Sequence, residues 1–115
     1  MQWKALFVGD IVMDQLPVSN FLSPDFSALV RDHAVCSCNF EAPVRGKGSP
    51  IRKAGPHLHQ HIQAPSIVEN AGFNVISLAN NHIYDYGQEA LTDTLLAFKK
   101  LFVLGQEMIL LKPIH

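Results

Sequence analysis

Residues 72–87 decide the fold: Gly72-Phe73-Asn74-Val75-Ile76-Ser77-Leu78-Ala79-Asn80-Asn81-His82, continuing through Ile83-Tyr84 to Asp85-Tyr86-Gly87. Phe73–Leu78 is short, apolar and rich in β-formers, so it reads as a buried strand. Gly72 in front of it suits the C-terminal end of a helix that starts at Pro65 and runs to Ala71. Behind it, Gly87 to Leu101 reads as a helix with Leu91, Leu95 and Phe98 on one face. Glu89 near its start and Lys99 and Lys100 near its end suit the helix dipole. Helix, buried strand, polar turn and helix in succession is the signature of a parallel α/β unit.

The unit repeats toward the N-terminus. Trp3–Val8 reads as a strand ended by Gly9-Asp10. Pro24-Asp25 opens a short helix whose apolar face is Phe26, Leu29 and Val30. His33–Phe40 is a second strand with Ala34-Val35-Cys36 at its apolar centre. Residues Ala42 to Gln63 hold Pro, Gly, Lys and His in quantity and read as a surface loop. Toward the C-terminus, Phe102–Leu104 reads as a fourth strand, and Glu107–Leu111 is apolar without a clear period. Strands alternating with helices predict a mostly parallel sheet with right-handed crossovers. Four short strands and three helices make a thin domain, so one face of the sheet is expected to lack a partner.

Composition agrees with a globular core and narrows the function. The chain has 115 residues, 48% of them hydrophobic, and a formal net charge of −1. Nothing basic enough for nucleic acid is present, and no basic amphipathic segment suggests a membrane surface. No apolar run is long enough to cross a bilayer, and the first residues lack the pattern of an export signal. Cys36 and Cys38 are too close for a good disulfide. They are expected as buried, reduced thiols, with a redox or metal role as the alternative.

The chemistry gathers where the strands end. In open α/β sheets, ligands bind outside the carboxyl ends of the strands. Strand one ends in Gly9-Asp10, strand two in Asn39-Phe40-Glu41, and strand three in Asn80-Asn81-His82 with Asp85 close behind. If the strands are parallel neighbours, these sets share one edge. Asp10 and Glu41 offer hard anionic oxygens, Asn81 a carbonyl oxygen and His82 an imidazole. Asn39, Asn80 and Asp85 support them. Such a mixed set suits Mn, Fe, Zn or Mg better than a thiolate-preferring metal. A site for two cations needs more ligands than these. Each motif also has a plain reading. Gly-Asp is common turn chemistry, and Asn39 and Glu41 can cap a loop. Three polar residues directly behind a buried strand are harder to explain by packing.

Two other features stand apart. His57-Leu58-His59-Gln60-His61 places three imidazoles on one face of an extended segment, which is zinc- or nickel-like spacing but also ordinary loop composition. Arg45, Lys47, Arg52 and Lys53 form a basic cluster that could meet an anionic polymer or a phosphate, and that more often is a solvated loop. Gly9-Asp10 is not followed by a glycine-rich phosphate loop, which argues against a Rossmann-type nucleotide binder.

Phe7-Val8-Gly9-Asp10, Asn39-Phe40-Glu41-Ala42-Pro43, Gln63-Ala64-Pro65 and the 72–87 motif together resemble the bacterial capsule synthesis family, the CapA-like family of poly-γ-glutamate capsules. The resemblance runs from Leu6 to about Leu101 and continues faintly through Gly105 to Pro113. It implies the N-terminal half of a calcineurin-like metallophosphatase α/β sandwich, and a place in the cell envelope. Carried over, Asp10 and Asn81 would be metal ligands, and Glu41 would take the acidic position that bridges two divalent cations. His82 would be the catalytic residue facing the reacting phosphate. Two departures separate this chain from the wider superfamily. Val8-Gly9-Asp10 lacks the histidine of an Asp-x-His motif, and Glu41 stands where phosphatases usually have Asp. The superfamily's later histidine ligands fall beyond these 115 residues. The resemblance therefore implies a metal-dependent hydrolase of a phosphoester or related bond, serving capsule or cell-surface polymer synthesis. The alternative is a non-catalytic module that binds an anionic polymer through a cation or helps assemble a synthesis complex.

Overall fold

The computed structural model describes residues 3–16, 21–46, 48–98, 102–104 and 109–111, the last two segments as backbone. The elements run β1 (Ala5–Ile11), α1 (Pro24–Arg31), β2 (Val35–Phe40), α2 (Ala64–Asn70), β3 (Val75–Ser77), α3 (Gly87–Ala97), β4 (Phe102–Leu104) and β5 (Ile109–Leu111). They form one five-stranded sheet in sequential order. Its first four strands are parallel, and β5 returns antiparallel to β4. The α/β class and the mostly parallel sheet expected from the alternation of elements are both present.

Local chemistry explains the boundaries. Ser23 caps α1, its Oγ accepting from the Phe26 amide at 3.2 Å. Pro24 follows at the first helical position, where a missing N–H does no harm. Val30 is buried and Phe26 half-buried, but Leu29 is exposed, so the apolar face of α1 is narrower than Phe26, Leu29 and Val30 together. Gly72 takes φ 110° beyond α2, a region that favours glycine. β3 is shorter than Phe73–Leu78, yet Phe73 and Leu78 are buried at its two ends. Asn74 joins β3 to β2, with Nδ2 donating to Ala34 O at 2.8 Å and Oδ1 accepting from the Cys36 amide at 2.9 Å.

The core lies between the sheet and the helices. Cys36, Cys38 and Phe40 of β2 and Ile76 of β3 supply it from the sheet, and Val30 and Val68 from the helices. Phe98, just past α3, meets Phe40 edge-on with ring centroids 5.0 Å apart. Both cysteines are free and buried. Burial pushes the Cys36 thiol up and the Cys38 thiol up to about 12, as expected of inert core thiols.

Two expectations need correction. β1 does not stop at Val8. It continues through Gly9 and Asp10 to Ile11, with a register shift between Phe7 and Asp10. The irregularity lets Ile11 enter the core while Asp10 stays exposed. Nor is Ala42–Gln63 simply a surface loop. Ala42, Pro43, Val44 and Gln60 are buried, and Val44 and Gln60 form a parallel bridge. The Val44 amide donates to Thr94 Oγ1 at 3.0 Å, which ties this apolar stretch to α3. Lys47, Lys99, Lys100 and the expected helix end at Leu101 lie outside the described residues, as do Gly105–Met108 and Lys112–His115. Among the described residues no helix is long and apolar enough to cross a membrane.

Candidate functional site

Parallel order brings three strand ends to one edge. Asp10 is in register with Asn39, and Asn39 with Ser77. From there a chain of amides links the motifs. Asn39 Nδ2 donates to Asp10 Oδ1 at 2.7 Å. Asn80 Nδ2 donates to Asn39 Oδ1 at 3.1 Å and to the Phe40 carbonyl at 2.9 Å. Asn80 Oδ1 in turn accepts from the His82 amide at 3.0 Å. Asn39 and Asn80 thus spend both ends of their side-chain amides on holding the three strand ends together.

Glu41 lies beside Asp10, its amide bonded to the Ile11 carbonyl at 3.1 Å. The two carboxyls share a hydrogen bond, and they divide its effect. The bond from Glu41, helped by Asn39, holds Asp10 below the usual carboxylate range. The same bond to Asp10, with some desolvation and the repulsion of the Asp10 charge, pushes Glu41 up, while nearby His82 pulls it back down. The Asp10 charge thus disfavours a charge on Glu41.

His82 is held from behind by Asp85. Asp85 is fully buried, and its Oδ2 lies 2.6 Å from His82 Nδ1. Oδ2 also accepts from the Leu58 amide at 2.7 Å, and Oδ1 takes a hydrogen bond from Lys53 Nζ. Burial alone would raise the Asp85 pKa, but Lys53, the Leu58 amide and His82 outweigh it and hold the carboxyl below its ordinary range. Asp10, Asn39, Glu41, Asn80, His82 and Asp85 are therefore brought together at one edge. Asn81 is exposed, and among the described residues its side chain has no hydrogen-bond partner.

A family model described as "Bacterial capsule synthesis protein PGA_cap" matches residues 4–106. The chain belongs to this capsule synthesis family. Among its curated relatives is a capsule biosynthesis protein CapA of Bacillus anthracis, 34% identical over 103 residues, which cover 81% of this chain and 25% of that protein. Another is the PGA biosynthesis protein CapA of Bacillus subtilis (strain 168), 31% identical over 109 residues, 84% of this chain and 28% of that protein. This capsule-family chain thus spans about a quarter of the length of these relatives.

The remaining polar features of the family member resolve differently. His57, His59 and His61 do not converge. His57 Nε2 donates to the Ile51 carbonyl at 2.6 Å, and His61 Nδ1 accepts from the Gln63 amide at 3.0 Å. His59 Nδ1 sits 2.8 Å from Asp14 Oδ1 without hydrogen-bond geometry. His57 and His59 both lie against the Tyr86 ring. Among the described residues no three His, Cys, Asp or Glu side chains gather as a metal cluster. The basic residues also separate, since Arg45 pairs with Asp14 and Lys53 with Asp85. A reading of motifs misses the roles of Lys53, which pairs with Asp85, and of Gln60, which is buried. Both sit in a polar, Pro- and Gly-rich segment where nothing in the pattern marks a buried partner.

Proposed function

We propose that this chain forms one wall of a divalent-cation site in a protein of capsule polymer synthesis, with poly-γ-glutamate as the polymer and a phosphoester or related bond as the target. The observation that carries this reading is the hydrogen-bonded edge from Asp10 through Asn39 and Asn80 to His82, with Glu41 beside Asp10. The donor set fits a hard cation. Two carboxyls that share a hydrogen bond on an open edge are a repulsive pair when ionised, and a cation relieves that repulsion. Asp10 and Glu41, with the exposed side-chain carbonyl of Asn81, are the groups that would hold it, and a second cation would draw ligands from outside this chain. When bound, the cation supplies Lewis-acid polarisation of the ester and activation of water.

The protein's own groups then have separate tasks. His82 stands at the edge with its Nδ1 committed to Asp85, so its Nε2 is the outward nitrogen; as the imidazolium, His82 protonates a leaving group or steadies developing charge from Nε2 and keeps its other proton on Nδ1. Asn39 and Asn80 keep Asp10 and His82 at fixed spacing.

The test is made on the full-length protein, with divalent-ion content and phosphodiesterase turnover measured for wild type, Asp10→Ala and His82→Ala. Asp10→Ala should lose the ion. His82→Ala should keep it and lose about 10²–10⁴-fold in kcat, the range for a general acid. A protein that binds no divalent ion and loses nothing in either variant sinks the reading. The lack of a fuller ligand cluster among the described residues favours a second reading, cation-dependent binding of an anionic polymer. Under that reading polymer binding survives His82→Ala and weakens as salt rises.

A further inference from the structure

His57, His59 and His61 share one stretch of chain but not one role. His57 and His61 each spend a ring nitrogen on the backbone, whereas His59 turns its Nδ1 to a carboxylate. That nitrogen is buried, has no hydrogen-bond partner among the described residues, and lies 2.8 Å from Asp14 Oδ1. Arg45 Nη2 bonds the same oxygen and also donates to the Asp14 carbonyl at 3.0 Å. The Arg45 hydrogen bond, with the charges of His59 and Arg45, outweighs some desolvation and holds the Asp14 carboxyl below its ordinary range. Asp14 is thus ionised at any pH where an imidazole titrates. A lone pair on Nδ1 would set two acceptors against each other. A metal ion is a poor remedy, because Arg45 already bonds the oxygen and no third ligand joins the pair among the described residues. A proton on the ring is the fitting one. The groups that face His59 are Asp14 from the segment after β1, Arg45 from the segment after β2, and the Tyr86 ring before α3, against which His57 also lies. Backbone bonds tie the same places together. The His61 amide donates to Met13 O at 2.6 Å, the Met13 amide to Gln60 Oε1 at 2.9 Å, and the Arg45 amide to Gln60 O at 2.9 Å.

We propose that Asp14, Arg45 and His59 form a proton-operated clasp: an imidazolium at His59 holds the segment after β1 against the 57–61 segment, and a neutral ring lets it loosen. Whichever nitrogen of the neutral ring carries its proton, the second proton adds a positive charge beside an anion. Arg45 repels that charge, which keeps the effect to that of a single exposed ion pair. Imidazoles titrate at about pH 6.5, so the clasp is tight on the acid side of that value and slackens as pH rises through it. On the acid side it holds until Asp14 itself protonates, below the ordinary aspartate value of about 3.9. The clasp does not depend on the cation site proposed above.

Hydrogen exchange reads the clasp in full-length protein without added metal. Peptides covering residues 11–14 and 59–61 are followed by mass spectrometry at about pH 5.5 and about pH 7.5, on either side of the imidazole range. Labelling times are scaled to the chemical exchange rate at each pH. Relative to the β2 and β3 amides, wild type should protect the Met13 and His61 amides about two- to five-fold more at the lower pH, the range for an exposed ion pair. His59→Gln removes the titrating group and should give equal protection at the two pH values. Asp14→Asn keeps an oxygen for Arg45 but loses the anion, and should do the same. His57→Gln, whose native ring meets the Ile51 carbonyl instead, should keep the full response. Unchanged β2 and β3 protection shows that each variant is folded. Equal protection of wild type at the two pH values overturns the clasp. So does a response that survives His59→Gln or Asp14→Asn, and so does one that is lost in His57→Gln.

Discussion

Asp10 and Asp85 belong to the same edge and stand in opposite electrostatic settings. Asp10 is exposed and faces another carboxyl, and Asn39 holds it there. Asp85 is buried and faces three donors, so its place is explained by what it holds together. Asp85→Ala, which strands Lys53 and the Leu58 amide, should therefore destabilise the chain by about 3–5 kcal/mol. Asp10→Ala should stay within about 0.5 kcal/mol of wild type. Urea unfolding checks both. The pH dependence separates the groups further. Asp85 has a lowered pKa, so its contribution is fully present above the ordinary aspartate value of about 3.9 and is lost as pH falls through the lower folded value. Glu41 has the opposite sign. Its pKa is raised, so its favourable protonated form is lost as pH rises through the folded value, and its charge weakens the fold at neutral pH. Glu41→Gln should thus stabilise the metal-free chain at pH 7, and the gain should vanish below the ordinary glutamate value of about 4.3. Equal stability of Glu41→Gln and wild type at pH 7 would contradict the shared-proton picture.

Elements, rather than motifs, set the spacing between Asp10 and Glu41, and a residue in the supposed loop controls it. Gln60 is fully buried. Its Oε1 accepts from the Met13 amide at 2.9 Å, and its Nε2 donates to the carbonyls of Ile11 at 3.0 Å and Ala42 at 3.3 Å. One side chain so satisfies the backbone at the end of β1 and just past β2, the two segments that carry Asp10 and Glu41. Strand-end motifs were legible in the sequence because polar residues behind an apolar run stand out. Gln60 was not, because a polar residue among histidines looks solvated until its backbone partners are known. The same blindness hid the extension of β1, since Gly9-Asp10 reads as a stop and only the packing of Ile11 shows the strand going on. Gln60→Leu keeps the volume roughly and, while the Ile11 carbonyl keeps the Glu41 amide, orphans the Met13 amide and the Ala42 carbonyl. It should cost about 3 kcal/mol, the scale of unsatisfied buried partners. In full-length protein it should also weaken divalent-ion binding by about 10-fold or more, the effect of losing groups that orient ligands. Calorimetric ion titration of Gln60→Leu tests this, and an unchanged affinity would free the Asp10–Glu41 spacing from Gln60.

For the molecule as a whole, strand order decides which surface is covered. Four parallel strands stand in sequential order, and crossovers of the usual right hand put the helices of such a sheet on a single face. Alternation of strand and helix was readable from the sequence, and so was the expectation that a thin parallel sheet would leave a face bare. Which residues lie on that face depends on register, which no local pattern reveals. On β1 the inward side chains are Leu6 and Val8, and the outward ones are Ala5 and Phe7. Phe7 is 74% exposed, and Trp3 just before the strand is 66% exposed. Val35 and Ser37 lie beside them in register on β2, and Val75 beside Ser37 on β3. Parallel sheets rarely leave such a face in water, and the exposed apolar side chains of Trp3 and Phe7 favour association. The 115-residue chain should therefore self-associate through it, with an association constant that falls by about 10–100-fold in Phe7→Lys, the equivalent of the roughly 1.5–3 kcal/mol for burying one large apolar side chain. Because Phe7 contributes little to the core, the same substitution should leave unfolding stability within about 0.5 kcal/mol. Sedimentation equilibrium across a concentration series, with urea unfolding of the same two proteins, measures both quantities. Weaker association without loss of stability identifies the β1 face as the adhesive surface. Equal association in both proteins places the adhesion elsewhere, and a large loss of stability means that Phe7 is part of the core after all.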